Sequence, residues 1–433
     1  MIELSLMVLL GQATSPSLPA LTPAQADLAQ AVSPPQNTPG PDSGRELTGP
    51  SERADSLSFA VISSLFSITP TSDRRQTLLT LPDNGEEAPF DELAWSTDGR
   101  LAAVYNLREV YVWTPNSPTP TQVFDSQCTY LPTLDLVWAN QGTTLLIEEA
   151  CEAPTSTSAG GMSLYVSDAT GIASTRRLPG LPANLSSRPY VSPDGSQVAY
   201  VEAGHLYRLT IGAAQPQRIT TEPGAYGAAG SPLAWSPNGE QLAFFEGNYP
   251  NQRLNVINVD GSNRRLLTPD PDFQIYRSRI YWSPDGSRIA FYQPLDPPYD
   301  NREALQMVTI ATGEIRTMSR PGFYDALSWS PDGQKIALAS GKIENQELFV
   351  LDVATGEFTS LMPQPLAQVM STLWSPGGDW IAFSGERVGE ELANQMLYAV
   401  RPNGAELRSL TSPDEYVYPF TWKPSTASTQ SQR

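Results

Sequence analysis

Ile280-Tyr281-Trp282-Ser283-Pro284-Asp285-Gly286-Ser287-Arg288-Ile289-Ala290-Phe291 is the stretch that decides how this chain folds. Ile280 and Trp282 alternate with Tyr281, the two-residue period of a strand whose sides face different surroundings. Ser283-Pro284-Asp285-Gly286 then reverses the chain. Proline presets φ at the second turn position, the aspartate carboxylate bonds nearby backbone amides, and glycine accepts the left-handed conformation that follows. Ile289-Ala290-Phe291 makes the return strand.

The pentapeptide Trp-Ser-Pro-Asp-Gly stands intact again at 329–333. It is altered once at 95–99 (Thr97 for Pro), 235–239 (Asn238 for Asp) and 374–378 (Gly377 for Asp). Looser copies begin at Trp138, Val191 and Trp422, and successive copies start 43, 53, 44, 47, 47, 45 and 48 residues apart. That period belongs to the blades of a β-propeller. Downstream of each hairpin a third strand is expected, such as Leu348-Phe349-Val350-Leu351. The turn Ala354-Thr355-Gly356-Glu357 then leads to a fourth strand at 358–361. Four antiparallel strands make one blade.

An alanine falls eight residues after the Trp position in six units, at Ala103, Ala199, Ala243, Ala290, Ala337 and Ala382; Leu146 stands there in the Trp138 unit. A small residue at a fixed place lets neighbouring sheets approach while the indole fills the gap elsewhere. The motif Trp and Asp residues are therefore expected to be structural, and not catalytic.

The two ends supply the blade count. Residues 58–80 read as strands two to four of a unit without its first strand: Phe59-Ala60-Val61-Ile62, then 65–69, then 76–81. The segment Tyr418-Pro419-Phe420-Thr421-Trp422 has the opposite lack, and Ala60 is taken as the alanine missing after Trp422. Joining the two removes both open sheet edges. The expectation is an all-β, eight-bladed β-propeller of four-stranded antiparallel blades, closed by one C-terminal strand beside three N-terminal ones. It occupies residues 58–424.

The pattern x-W-S-P-D-G-x-x-I-A-F, followed by an L-x-V-x-D-x-x-T-G type third strand, resembles the WD-like propeller repeats of the TolB family. These repeats occur in bacterial periplasmic proteins and in the propellers of prolyl oligopeptidase-type and dipeptidyl peptidase-type enzymes. The resemblance spans roughly residues 58–424 and implies the fold. This sequence departs from TolB itself in showing no N-terminal α/β domain and in having eight blades instead of six. The Tol–Pal role of TolB is therefore not implied.

A formal net charge of −19 argues against nucleic acid, which selects basic surfaces, and against anionic membrane surfaces. A basic protein or peptide partner fits that charge, and the chain is expected to be a monomer. Residues 1–57 read as a hydrophobic start followed by a flexible leader rich in Pro, Ser, Thr and Ala, too polar to bury a core. The apolar start, residues 2–10, is too short to span a bilayer and lacks the basic opening of an export signal. It reads as the remnant of such a signal or as a plain hydrophobic end, and it offers a potential membrane tether. Residues 425–433 read as a disordered tail.

Cys128 precedes the first strand of the Trp138 unit and Cys151 ends its second strand. They lie at the same end of an antiparallel hairpin, where either a bridge or two free thiols is compatible with the pattern. A bridge would favour an oxidising compartment, and with the leader this points to an extracytoplasmic, periplasmic or cell-envelope, home.

Catalytic machinery is not legible. One histidine, His205, opens a third strand; there is no G-x-S-x-G elbow, no Walker-type loop, and too few His and Cys for an ordinary zinc site. Asp270-Pro271-Asp272 and Asp296-Pro297-Pro298-Tyr299-Asp300 are loop acids that would suit calcium, without the spacing of an EF-hand. No cofactor is expected.

Blade topology sends the Ser-Pro-Asp-Gly and Ala-Thr-Gly-Glu turns to one face. The longer, more varied links go to the other, where recognition loops tend to lie. That second face is rich in acids and aromatics, and Tyr226, Asp272, Phe273, Tyr276, Phe323, Tyr324, Tyr416 and Tyr418 are its candidate partner-binding residues. The expected function is non-enzymatic binding of a protein or peptide on this face. The alternative is a hydrolase, peptidase- or carbohydrate-directed, or the propeller subunit of one.

Overall fold

In the computed structural model of the chain the described residues are 55–61, 64–72, 74–80, 90–115, 117, 119–129, 132–151, 161–182, 185, 187–224, 233–247, 252–268, 279–296, 300–319, 322, 324–342, 345–363, 366–386, 395–413, 415 and 417–424. They form eight four-stranded antiparallel sheets in a ring. The first strands of blades 1 to 8 are Phe90–Trp95, Pro132–Ala139, Tyr190–Val191, Leu233–Trp235, Tyr281–Trp282, Tyr324–Trp329, Gln368–Trp374 and Val417–Trp422. First strands pack against the first strands of adjacent blades, which places them innermost.

Blade 8 closes the ring. Val417–Trp422 pairs antiparallel with Leu57–Val61, with Leu57 opposite Trp422, Ser58 opposite Thr421 and Phe59 opposite Phe420. Ser64–Ile68 and Gln76–Thr80 complete the sheet. The Lys423 amide donates to the Ser56 carbonyl at 2.8 Å, so both ends of the propeller leave it side by side. The first N-terminal strand begins at Leu57, two residues earlier than the sequence pattern suggested.

The core is divided among the seams. Eight buried apolar clusters each draw on two adjacent blades, one cluster per seam. Burial between sheets is thus the main cohesive term, each buried aliphatic or aromatic side chain contributing about 1.5–3 kcal/mol. The small residue of the repeat sits at these seams: Ala199, Ala243, Ala290, Ala337 and Ala382 are fully buried. Register corrects two assignments. The residue opposite Ala94, the position before the motif Trp, is Ala102 and not Ala103, because the turn of blade 1 is one residue shorter. In blade 8 it is Ser58 and not Ala60 that lies opposite the residue before Trp422.

The motif indoles do more than fill space. Trp138 Nε1 donates to the Ala94 carbonyl (2.9 Å), Trp235 to Tyr190 (2.8 Å), Trp282 to Ala234 (3.2 Å) and Trp329 to Tyr281 (3.2 Å). Trp374 donates to Ser328 (3.2 Å) and Trp422 to Leu373 (3.1 Å). Each acceptor is the residue before the motif Trp position of the preceding blade. Trp95 continues the series by donating to the Ser58 hydroxyl at 3.2 Å. Innermost strands expose an unpaired backbone edge, and at six of the eight seams an indole satisfies one carbonyl on it.

Only the seam between blades 2 and 3 lacks an indole, since Val191 replaces Trp. There Arg188 crosses from blade 3 to bond Glu148 (2.8 Å) and Asp135 (2.6 Å) on blade 2. Glu148 is 7 % exposed, so the ion pair keeps an otherwise buried carboxylate satisfied.

Candidate partner-binding face

One face of the ring is built from self-satisfied turns. In blade 5 the Ser283 hydroxyl donates to Asp285 Oδ1 (2.6 Å) and accepts from the Arg288 amide (2.9 Å), while the Gly286 amide donates to the Ser283 carbonyl (2.8 Å). Asp285 also accepts from the Ser287 amide at 3.0 Å. Burial opposes ionisation of Asp285, yet the hydrogen bonds from Ser283 and Ser287 outweigh it and hold the carboxyl below its usual range. Asp194 and Asp98 are depressed in the same way, against burial and through their own turns. These carboxylates are occupied by the turn that carries them, as the sequence reading expected.

Blade 7 has Gly377 where the aspartate should be, and Asp55 brings a carboxylate to that turn from the other end of the chain: its Oδ2 accepts from the Gly377 amide at 3.2 Å. The turns between third and fourth strands share this face. A small cleft of about 180 Å³ is walled by Ser330, Pro331 and Gly378 from one set and by Pro402 from the other.

The opposite face varies. Links between second and third strands run from two residues, 203–204, to nine, 152–160 and 387–395, whereas the first-to-second turns span four to six. Of the candidate residues, Tyr226, Asp272, Phe273, Tyr276, Phe323 and Tyr416 lie outside the described residues, as do Asp270 and the side chains of Asp296 and Asp300. Tyr418 is placed only as part of the strand Val417–Trp422.

Tyr324 is described, and it is drawn inward. Its ring stacks on Tyr292 at 5.9 Å and 10°, with Tyr281 edge-on to Tyr292 at 6.3 Å. It also covers the α-carbon of Gly322, where an added β-carbon would meet the ring at 3.2 Å. Phe90 is 1 % exposed and packed on Tyr105, which makes it core. Glu415 pairs with Arg75 at 2.6 Å and caps the Ser412 amide at 2.9 Å. Phe90 and Glu415 are therefore structural, while Tyr324 packs on the seam between blades 5 and 6 and stays partly exposed.

Cys128 and Cys151 form a disulfide, with Cα atoms 5.6 Å apart. It fastens the link entering blade 2 to the end of that blade's second strand. Glu149 lies beside both sulfurs, but a disulfide offers no thiolate to a metal. The carboxylate accepts from the Ser126 hydroxyl (2.5 Å) and the Tyr165 hydroxyl (2.9 Å). His205 Nδ1 lies 3.4 Å from the Thr220 hydroxyl, which also accepts from the Leu206 amide at 3.1 Å.

That last contact belongs to a second repeat that the sequence reading missed. Thr268, Ser319 and Thr411 hydroxyls accept from the amides of Leu254, Leu305 and Leu397, each fourteen residues upstream, at 2.8–3.0 Å. The signal was an apolar residue followed by Thr or Ser at the end of the fourth strand: Ile219-Thr220, Leu267-Thr268, Met318-Ser319, Leu410-Thr411.

Residues 252–429 match the family described as TolB beta propeller domain. That segment carries TolB-type propeller repeats. No curated protein matches the chain. Among solved structures, this TolB-like propeller is similar to a putative dipeptidyl aminopeptidase IV from Bacteroides ovatus. Identity is 10 % and the TM-score 0.56, over 84 % of this chain and 59 % of that one. It is similar to a eukaryotic initiation factor at 12 % identity and TM-score 0.53, over 86 % of this chain and 99 % of that one. A putative TolB from Agrobacterium tumefaciens matches at 18 % identity and TM-score 0.38, over 58 % and 94 %. At such identities the likeness concerns the fold alone. Among the described residues no helix is long and apolar enough to cross a membrane.

Proposed function

We propose that this TolB-like propeller is a non-enzymatic scaffold that works outside the cytoplasm, in the periplasm or cell envelope. It binds a basic protein or peptide on the face that carries the varied links. The observation that carries this reading is the asymmetry of the two faces. One is closed off by near-identical turns whose polar groups satisfy one another, and the other carries links of two to nine residues, as recognition surfaces do. The disulfide supports an oxidising compartment, and the net charge of −19 supports a cationic partner. Tyr226, Asp272, Phe273, Tyr276, Phe323, Tyr324, Tyr416 and Tyr418 are its proposed contacts.

The test is a pull-down from the native host, followed by affinity measurements with Tyr276→Ala and Asp272→Ala. Loss of affinity without turnover supports the reading. Hydrolysis of peptide or oligosaccharide substrates by the purified chain would replace it with an enzymatic one.

A further inference from the structure

Among the described residues four inner strands carry a β-bulge, and the four are neighbours in the ring. Register shifts fall between Asp325 and Ser328 in blade 6, between Val369 and Ser371 in blade 7, and between Phe90 and Glu92 in blade 1. In blade 8 the shift lies between Val417 and Phe420, opposite Phe59 to Val61. The inner strand of blade 2 stays in register over all its pairs. Every bulge precedes the motif Trp by a few residues, which puts all four at the varied end of the channel wall. Bulges release one residue from the ladder and re-aim its side chain. Pro419, which has no N–H to offer, sits in such a position, and Ala326 takes a φ of +48°.

Two bulged residues have the character of a contact surface. Met370 is 42 % exposed; the other large exposed apolar side chains of the described residues, Ile172, Leu266 and Phe358, are not on inner strands. Asp91 is half-buried and accepts from the Leu107 amide at 2.9 Å.

A second observation falls in the same place. Ser384 Oγ and Gln395 Oε1 are buried and have no hydrogen-bond partner. Ser384 lies opposite Ser371, next to the Met370 bulge, and the Gln395 carbonyl accepts from the Val417 amide at the start of the closing strand. Ala382 and Leu397 pack against Val417 and Phe420 of blade 8. Ser384 and Gln395 stand two residues along from them on the same sheet face, so both side chains point into the seam between blades 7 and 8.

We propose that this arc, centred on blade 8, docks a short extended segment of a basic partner protein. Met370 takes an apolar side chain of the segment, and Asp91 faces its lysine or arginine. The Ser384–Gln395 pair holds an ordered water that bonds the segment's backbone. This deepens the proposed function and rests on it, moving the main contact from the aromatic loops to the channel wall.

The full chain is titrated with two synthetic decapeptides, one alternating Lys and Leu, the other Glu and Leu. The Lys peptide is expected to bind and the Glu peptide not. Met370→Glu and Asp91→Asn should each weaken binding tenfold or more. Ser384→Ala should weaken it several-fold while leaving Tm unchanged or raised, which a purely structural role would not produce. Lys335→Ala on the opposite face should change nothing. Affinity indifferent to the three arc variants but lost in Tyr276→Ala overturns the arc and leaves the proposed function standing. No binding of either peptide by folded protein at about 1 mM overturns both.

Discussion

Trp422 Nε1 donates to the carbonyl oxygen of Leu373 at 3.1 Å, so the last motif residue of the chain repeats across the closing blade the contact that its counterparts make elsewhere. The closing strand is held from two sides: by its ladder to Leu57–Val61 and by this indole to blade 7. Trp422→Phe keeps the ring in the seam and removes the donor. It should cost about 1–2 kcal/mol, read by urea denaturation. Deleting residues 417–433 should abolish the cooperative transition, because it exposes the edge of Leu57–Val61 and opens the seams on both sides of blade 8.

Arg188→Met should destabilise the seam between blades 2 and 3 more than an ordinary surface substitution. The half-exposed guanidinium itself is worth little, but the buried Glu148 carboxylate loses its cationic partner, a penalty of about 1–3 kcal/mol. The double variant Arg188→Met with Glu148→Gln should recover part of the loss. Equal stability of single and double variants would show that the pair contributes nothing.

The Cys128–Cys151 bridge closes a loop with a sequence separation of 23, for which chain-entropy arguments give about 3 kcal/mol. Folded protein should show no reactive thiol without reductant. Cys128→Ser with Cys151→Ser should lower Tm while leaving the propeller's circular dichroism intact.

Two glycines separate packing from backbone conformation. Gly195 has a φ of +69°, and a β-carbon there would lie 2.3 Å from the β-carbon of Ala139. Gly212 has a φ of +92° with nothing within 4 Å. Gly212→Ala should cost about 1–2 kcal/mol for the left-handed conformation alone. Gly195→Ala should cost distinctly more, since the turn of blade 3 must back away from blade 2. Similar losses in thermal melts would contradict the close approach.

Asp98, Asp194 and Asp285 have carboxyls held below their ordinary value. A depressed folded pKa means that the stabilisation is complete above the unfolded value, about 3.9, and is lost as pH falls through the folded one. Tm should therefore drop as pH goes from about 4 towards 2. Replacing Asp194 and Asp285 by Asn, the residue blade 4 already has at Asn238, should flatten that decline.

The repeat made the architecture legible because its physics is local. Trp-Ser-Pro-Asp-Gly encodes a strand end, a self-satisfying turn and the start of the return strand within a few residues, and its spacing counts the blades. The complementary strand deficits at residues 58 and 418 announced the closure. Register was less visible: Ala102 and Ser58 take the small-residue position because one turn is shorter and one strand comes from the far end of the chain. Local counting cannot see either.

The sequence by itself determined seven hairpin-based units, an eighth split between the two ends, and which turns share a face, since dihedral preference and alternation act between near neighbours. Only the tertiary structure decided what crosses the seams. The indole-to-carbonyl series, Arg188 in the seam that lacks an indole, Asp55 at the turn that lacks its own carboxylate and the inward stacking of Tyr324 all depend on groups far apart in the chain. Such contacts are set by how neighbouring sheets pack.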